Sequence, residues 1–207
     1  MSTKPTASFS TPKKAAYPEQ FASGLCTSFL SSGLRLTVRP FCVATDIPIV
    51  FKWMGQEFAG PLLARSQPPH ELEEFYTSVI ESDFAQPFMG LINDTPVCQL
   101  DIYKTQLDII SLSYPARPGD YGLQLTLAPL IAEDNMALLL RTCLEYFFSF
   151  PEVGRIIVNI EAENEHLRQL FKKLRFRILS DAHNGDRSSS LYACTAGHFR
   201  RAHTAVR

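Results

Sequence analysis

Apolar and polar residues alternate along GLRLTVRPF (33–41), which predicts a strand closed by Pro40. Asp46 then stands where it would cap a helix carrying Ile49, Val50, Trp53 and Met54 on one face. A segment over 57–65 follows, and beyond the breaker Pro68-Pro69 the helical spacing of HELEEFYTSVIES predicts a helix over 70–82. AQPFMGLI (85–92) and PVCQLDIY (96–103) are apolar strands joined by the turn residues Asn93-Asp94, a hairpin. LDIISLSY (107–114) reads as a further strand, leading through PARPGD to the strand YGLQLTLAP (121–129). An acidic turn, IAEDN, separates that strand from an apolar helix over 136–150. RIIVNI (155–160) is the next strand, and a second helix opens at Asn164 and runs to 174. FRILSDA and SSSLYACT form a closing hairpin around HNGDRS. Hairpins early and alternation with helices late predict an α/β fold with a mixed, mostly antiparallel central sheet and helices on both faces.

Residues 1–32 are rich in Ser, Thr, Pro, Lys and Ala without periodicity, and read as a flexible N-terminal arm ahead of one domain over 33–207. A net charge of -1 and a pI near 6.5 supply no field toward nucleic acid or anionic lipid, so neither is expected as a partner. The longest apolar run, 136–150, is interrupted by Arg141 and Glu145 and is too short to span a bilayer. Cys26, Cys42, Cys98, Cys143 and Cys194 show no CxxC or CxxH spacing, so no metal site and no disulfide frame is expected. With no apolar segment of signal-peptide type, this dispersed set fits a reducing cytoplasm.

A strand that hands over to a helix leaves the first helical NH groups unpaired and facing a crevice, which can seat an anion. The stretch 121–164 has this order, so a phosphate-bearing cofactor is one reading and an empty unit the other.

The same order of elements resembles the GNAT acetyltransferase fold, and several strings resemble its siderophore-biosynthesis acyltransferase branch, the aerobactin N-hydroxylysine acetyltransferases and mycobactin lysine acyltransferases. Trp53-Met54 resembles that branch's early W-M element. LDIYKTQLD resembles its E-x-Y-x-x-x-x-D pattern through Asp101, Tyr103 and Asp108. PGDYGLQLTLAP resembles its D-x-G-x-H-x-x-I-G strand, and HNGDRSSSLYACTAGHF its H-x-x-x-R-A-x-L hairpin through His183, Arg187 and Leu191. The likeness runs from Trp53 to Phe199.

The resemblance implies an N-acyltransferase that uses acetyl-CoA, or another acyl-CoA, without a metal. It implies a small-molecule acceptor, an N-hydroxylated lysine or diamine made into a siderophore hydroxamate, and a monomer or homodimer. By position, Gln124 stands for the family's catalytic His and Glu161 for its Asp. The backbone of Leu125, Thr126 and Leu127 is expected to pair with the pantetheine arm, with Asn135, Met136 and Asn164 also on the cofactor. Trp53, Asp101, Tyr103, Asp108 and His183 fall on the substrate side. Trp53 also reads as core, His183 as a solvated loop residue, Glu161 as a helix-initiating charge and Asn164 as a helix cap.

Two departures shape the alternatives. The glycine-rich turn of the family is AEDNMA here, so Glu133 and Asp134 repel a pyrophosphate unless they turn outward, or Asp134 or Asn135 is simply the cap. Gln124 cannot accept a proton, a loss that a weakly basic hydroxylamine tolerates better than an alkylamine does. A degenerate binding or regulatory module without CoA binding is therefore one rival, and acetylation of another primary amine is a second.

Overall fold

The computed structural model describes residues 26–29, 33–54, 68–129, 131–184 and 187–204. Residues 1–25 of the expected arm and the segment 57–65 lie outside them. Eight strands form one sheet: β1 (Cys26–Phe29), β2 (Arg35–Pro40), β3 (Ala85–Ile92), β4 (Thr95–Lys104), β5 (Asp120–Leu127), β6 (Arg155–Glu161), β7 (Arg177–Asn184) and β8 (Arg187–Thr195). Their spatial order is β1-β2-β3-β4-β5-β6-β8-β7, and every neighbouring pair is antiparallel except β5 and β6. The α-helices among the described residues are α1 (Val43–Met54), α2 (Pro69–Glu81), α3 (Glu133–Phe147), α4 (Glu165–Lys173) and α5 (Ala196–Thr204).

Period-two alternation divides the sheet into two faces. On one face Cys98, Leu100 and Ile102 of β4 and Tyr121, Leu123 and Leu125 of β5 meet α3 in the main core. Leu139, Leu140, Leu144 and Phe147 of α3 are fully buried there, and each such side chain contributes about 1.5–3 kcal/mol. On the other face α1 and α2 pack Val50, Trp53, Leu72 and Tyr76 over Met89 and Leu91 of β3. The alternate residues of β4 and β5, Gln99, Asp101 and Gln124 among them, face that second layer.

The β3–β4 hairpin turns through Asn93 and Asp94, at φ 48° and 66°, the pair of left-handed residues that a two-residue turn demands. Within the expected arm, Cys26–Phe29 adds an edge strand to β2. Three readings of the sequence are corrected. The expected strand over 107–114 is two short 3-10 helices, Thr105–Leu107 and Ile109–Ser113. There Asp108 Oδ1 accepts from the Ile110 NH at 2.9 Å and Ser111 Oγ donates to the Asp108 carbonyl at 2.7 Å, and such local bonds outcompete a ladder. Only Ile110 and Tyr114 turn inward, while Ile109 and Leu112 are 78% and 83% exposed.

Asp46 lies inside α1, where it accepts from the Cys42 NH at 2.8 Å and pairs with Arg39 at 2.6 and 2.7 Å. The acidic turn is the first turn of α3, whose cap is Ala132, so neither Asp134 nor Asn135 caps it. Helix α5, which the sequence reading lacked, docks Phe199 against Phe148.

Candidate active site

The parallel pair β5–β6 is registered at only three positions, Asp120↔Arg155, Tyr121↔Ile156 and Gly122↔Ile157. Both strands continue, to Leu127 and Glu161, so they part toward their carboxyl ends and leave a wedge between them. Carboxyl ends of parallel strands are where α/β sheets hold ligands. Each strand stays anchored on its far side, β5 to β4 through Leu127 and β6 to β8 through Glu161, which keeps the wedge from collapsing.

The closed end is pinned. Asp120, 5% exposed, takes Arg155 Nε at 2.8 Å and Nη2 at 2.5 Å, and accepts from the Arg117 NH at 2.9 Å. The Gly119 carbonyl accepts the NH groups of Gly154 and Arg155 at 2.9 and 3.0 Å. Gly119 has φ +86°, and an added Cβ would come within 3.1 Å of the Glu152 carbonyl. The Arg155 guanidinium lies 5.5 Å from the Tyr114 ring centroid, and the hydrogen bond to Asp120 raises its already high pKa.

At the mouth, Gly122 is covered by the Tyr103 ring; a Cβ there would sit 2.1 Å from Tyr103 Cζ. Gln124, two residues on, is partly buried and lies in register with Asp101 of β4. Gln99 Nε2 donates to Asp101 Oδ1 at 2.6 Å, while Gln99 Oε1 is buried with no partner. Tyr76 of α2 is fully buried and stacks on Phe41 at 4.6 Å, and its hydroxyl has no partner either. Burial lifts the Asp101 carboxyl to about 7, against a small lowering by the Gln99 hydrogen bond. Burial, and then the charge of Asp101, push the Tyr76 phenol far up.

Glu161 ends β6, and Asn164 follows as the cap of α4, its Oδ1 accepting from the Leu167 NH at 3.0 Å. Met136 is wholly buried and its NH donates to Ala132 at 3.1 Å, leaving the NH groups of Glu133, Asp134 and Asn135 ahead of the first intrahelical bond. Lys173 of α4 reaches Glu133 at 2.5 Å and Asp134 at 3.9 Å, and His166 lies 3.8 Å from Glu133. The Lys173 hydrogen bond holds the Glu133 carboxyl below its ordinary range. A hollow of about 330 Å³ between α3 and α4 is lined by Asp134, Ala137, Leu138, Arg141, Lys173 and Leu174. A wider hollow of about 440 Å³ along α2, with His70, Glu73 and Glu74, contains no residue of β4, β5 or β6 and is set apart from the wedge.

The structure thus brings Gln124, Asp101 and Tyr103 to one face. Trp53 is 8% exposed in the α1–α2 core, and Asp108 caps a 3-10 helix. His183 lies on β7 opposite Ser188, with its side chain outside the described residues. Sequence reasoning missed Gln99, Tyr76, Lys173 and Arg141. Gln99 was findable, since it shares a strand face with Asp101 two residues on. Among the described residues no three His, Cys, Asp or Glu side chains gather as for a metal, and no helix is long and apolar enough to cross a membrane.

Comparison with known proteins adds the following. The family model described as Acetyltransferase (GNAT) domain matches residues 42–183. Lysine N-acyltransferase MbtK of Mycobacterium tuberculosis is 24% identical over 155 residues, 73% of this chain and 74% of that protein. N-hydroxyputrescine acetyltransferase of Acinetobacter baumannii is 20% identical over 162 residues, 76% of each chain. An uncharacterized protein from Bacillus halodurans superposes with a TM-score of 0.78 at 21% identity, covering 86% of this chain and 93% of that one. AAC(6')-Ib in complex with ribostamycin and coenzyme A follows at 0.70 and 19% identity, covering 81% and 97%.

Proposed function

We propose, from the premise that this chain belongs to the GNAT acetyltransferase family and is an N-acyltransferase, that it moves a short acyl group from acyl-CoA to an N-hydroxylated lysine or diamine, forming a siderophore hydroxamate. The observation that carries the reading is the wedge. Beyond Gly122 the β6-facing edge of β5 has no ladder partner, so the backbone of Leu125, Thr126 and Leu127 can pair with the pantetheine arm as an added strand would. The nucleotide end fits the start of α3, where three NH groups point outward and Lys173 and Arg141 border a hollow. Lys173 offsets the repulsion expected from Glu133 and Asp134, because it already holds the first and stands beside the second.

When bound, the thioester supplies an activated acyl carbon; the protein supplies placement. The Gln124 amide can orient the acyl carbonyl or the acceptor, but it cannot take a proton. A hydroxylamine nitrogen is largely neutral near pH 7 and demands less of a base than an alkylammonium does, which favours this acceptor class. The relative named for N-hydroxyputrescine supports the hydroxylamine class, and the one named for lysine supports a lysine-like skeleton.

Supplying acetyl-CoA or succinyl-CoA with N-hydroxylysine, N-hydroxycadaverine or N-hydroxyputrescine should release free thiol. No thiol with any pairing overturns the reading. The AEDN turn favours one rival, a module that has lost coenzyme A binding. Micromolar coenzyme A binding in calorimetry removes that rival.

A further inference from the structure

Gln99, Asp101 and Tyr76 form one patch, with Gln99 hydrogen-bonded to Asp101 and Tyr76 close enough to sense its charge. Gln99 and Tyr76 are both buried, and each leaves a polar atom without a partner. An orphaned buried polar atom costs about 1–3 kcal/mol, so two of them around one carboxylate mark a place built for a polar visitor. Asp101 lies between this patch and the mouth of the wedge. It is partly exposed, and its register partner Gln124 stands two residues past the last position where β5 and β6 pair. Paired antiparallel residues lie about 5 Å apart, so the carboxylate stands one strand spacing from the diverging edge.

We propose that Asp101 is the catalytic base of this enzyme, and that Gln99 is a positioning residue whose hydrogen bond to Oδ1 leaves the other carboxylate oxygen for the acceptor nitrogen. The role rests on the acyl-transfer reading and deepens it. The acceptor N–H nitrogen attacks the thioester carbon, the new C–N bond forms and the C–S bond breaks. The nitrogen's proton passes to Asp101, and coenzyme A leaves as the thiolate, which is then protonated. The carboxylate afterwards returns its proton to solvent, so nothing is oxidised or reduced and no co-reactant is needed.

The surroundings suit a base that works near neutrality. Among the described residues no cation contributes to the Asp101 carboxyl, which stands near 7, close to the pH at which such a base is most effective. The titratable groups that sense it are Tyr76 of α2 and Tyr103 of β4, the latter also facing Asp108 and Tyr114. Helix α1 brings Trp53 and Met54 to the layer above, and its Asp46 is already tied to Arg39. From β3 come Met89 and Leu91, and from β5 the uncharged Gln124 and Thr126.

The test compares wild type, Asp101→Asn and Gln99→Met, with acetyl-CoA and whichever hydroxylamine turns over. The quantity read is kcat/KM from about pH 5 to about pH 9. Wild type should lose roughly tenfold per pH unit below a midpoint near 7. Asp101→Asn should fall by about 10²–10⁴ and lose that limb. Gln99→Met should move the limb to higher pH, because the Gln99 hydrogen bond holds the Asp101 carboxyl down. An acceptor's own titration cannot produce that movement. Melting curves confirm that the variants fold, and if Asp101→Asn does not, the Gln99→Met shift decides. Wild-type turnover with an unchanged limb in Asp101→Asn, or no shift in Gln99→Met, overturns the role alone. Absence of turnover in wild type overturns the acyl-transfer reading and this role together.

Discussion

The carboxylates near the two ends of the β5–β6 pair, buried Asp120 and partly exposed Asp101 of the adjoining β4, are of opposite kinds. At the closed end Asp120 is met by a bidentate guanidinium and the Arg117 NH, with the Tyr114 ring beside Arg155. At the open end Asp101 has one neutral amide donor, with an unpartnered carbonyl and an unpartnered phenol buried nearby. Asp46, locked to Arg39 at the start of α1, belongs with the first kind. A carboxylate that only holds structure is worth burying when a cation satisfies it, because removing one partner leaves a stranded charge. One left near neutrality without a cation costs stability, and in a cleft that cost points to chemistry.

The largest effect should come from breaking the closed end. Asp120→Ala strands Arg155 and should cost about 3–5 kcal/mol in urea unfolding. A loss within experimental error would show that the pair does not hold the strands.

Asp101→Asn should have the opposite sign. The folded state holds the Asp101 proton more tightly than the unfolded chain, whose pKa is near 3.8. The stability this lends is therefore full below about pH 4 and is lost as pH rises through about 7. The variant should match wild type at about pH 4 and exceed it at about pH 8 by roughly 2 kcal/mol. A fully buried group could give ~4, but solvent reaches this one. Equal stability at both pH values contradicts the contrast drawn above.

Gly122→Ala tests whether the shape of the mouth matters. The methyl would meet the Tyr103 ring, and the forced shift should cost about 1–3 kcal/mol with a matching fall in turnover. The smallest effect belongs to a site outside both ends. Asn164→Ala should remove the α4 cap for about 1 kcal/mol. A larger loss of coenzyme A affinity than of stability would give Asn164 a second role at the cofactor.

The arrangement of the sheet was legible in the sequence because alternation in β2, the Asn93-Asp94 turn and the apolar α3 each follow a local rule. The stretch 107–114 misled because its apolar residues face solvent, and the Asp108 and Ser111 hydrogen bonds decided its form. That Asp101, Tyr103 and Gln124 share one face was legible, since strand alternation and the ladder fix it. The neighbourhoods of Tyr76 and Lys173 were not, since each is carried by a helix whose placement depends on tertiary packing.

The central claim is that the diverging strands seat the thioester's arm, and amide hydrogen exchange with and without saturating acetyl-CoA tests it directly. The account predicts new protection at residues 123–127 and in the first turn of α3, with 120–122 unchanged because the ladder already protects them. Protection confined to other parts of the sheet, or none at saturation, would contradict it.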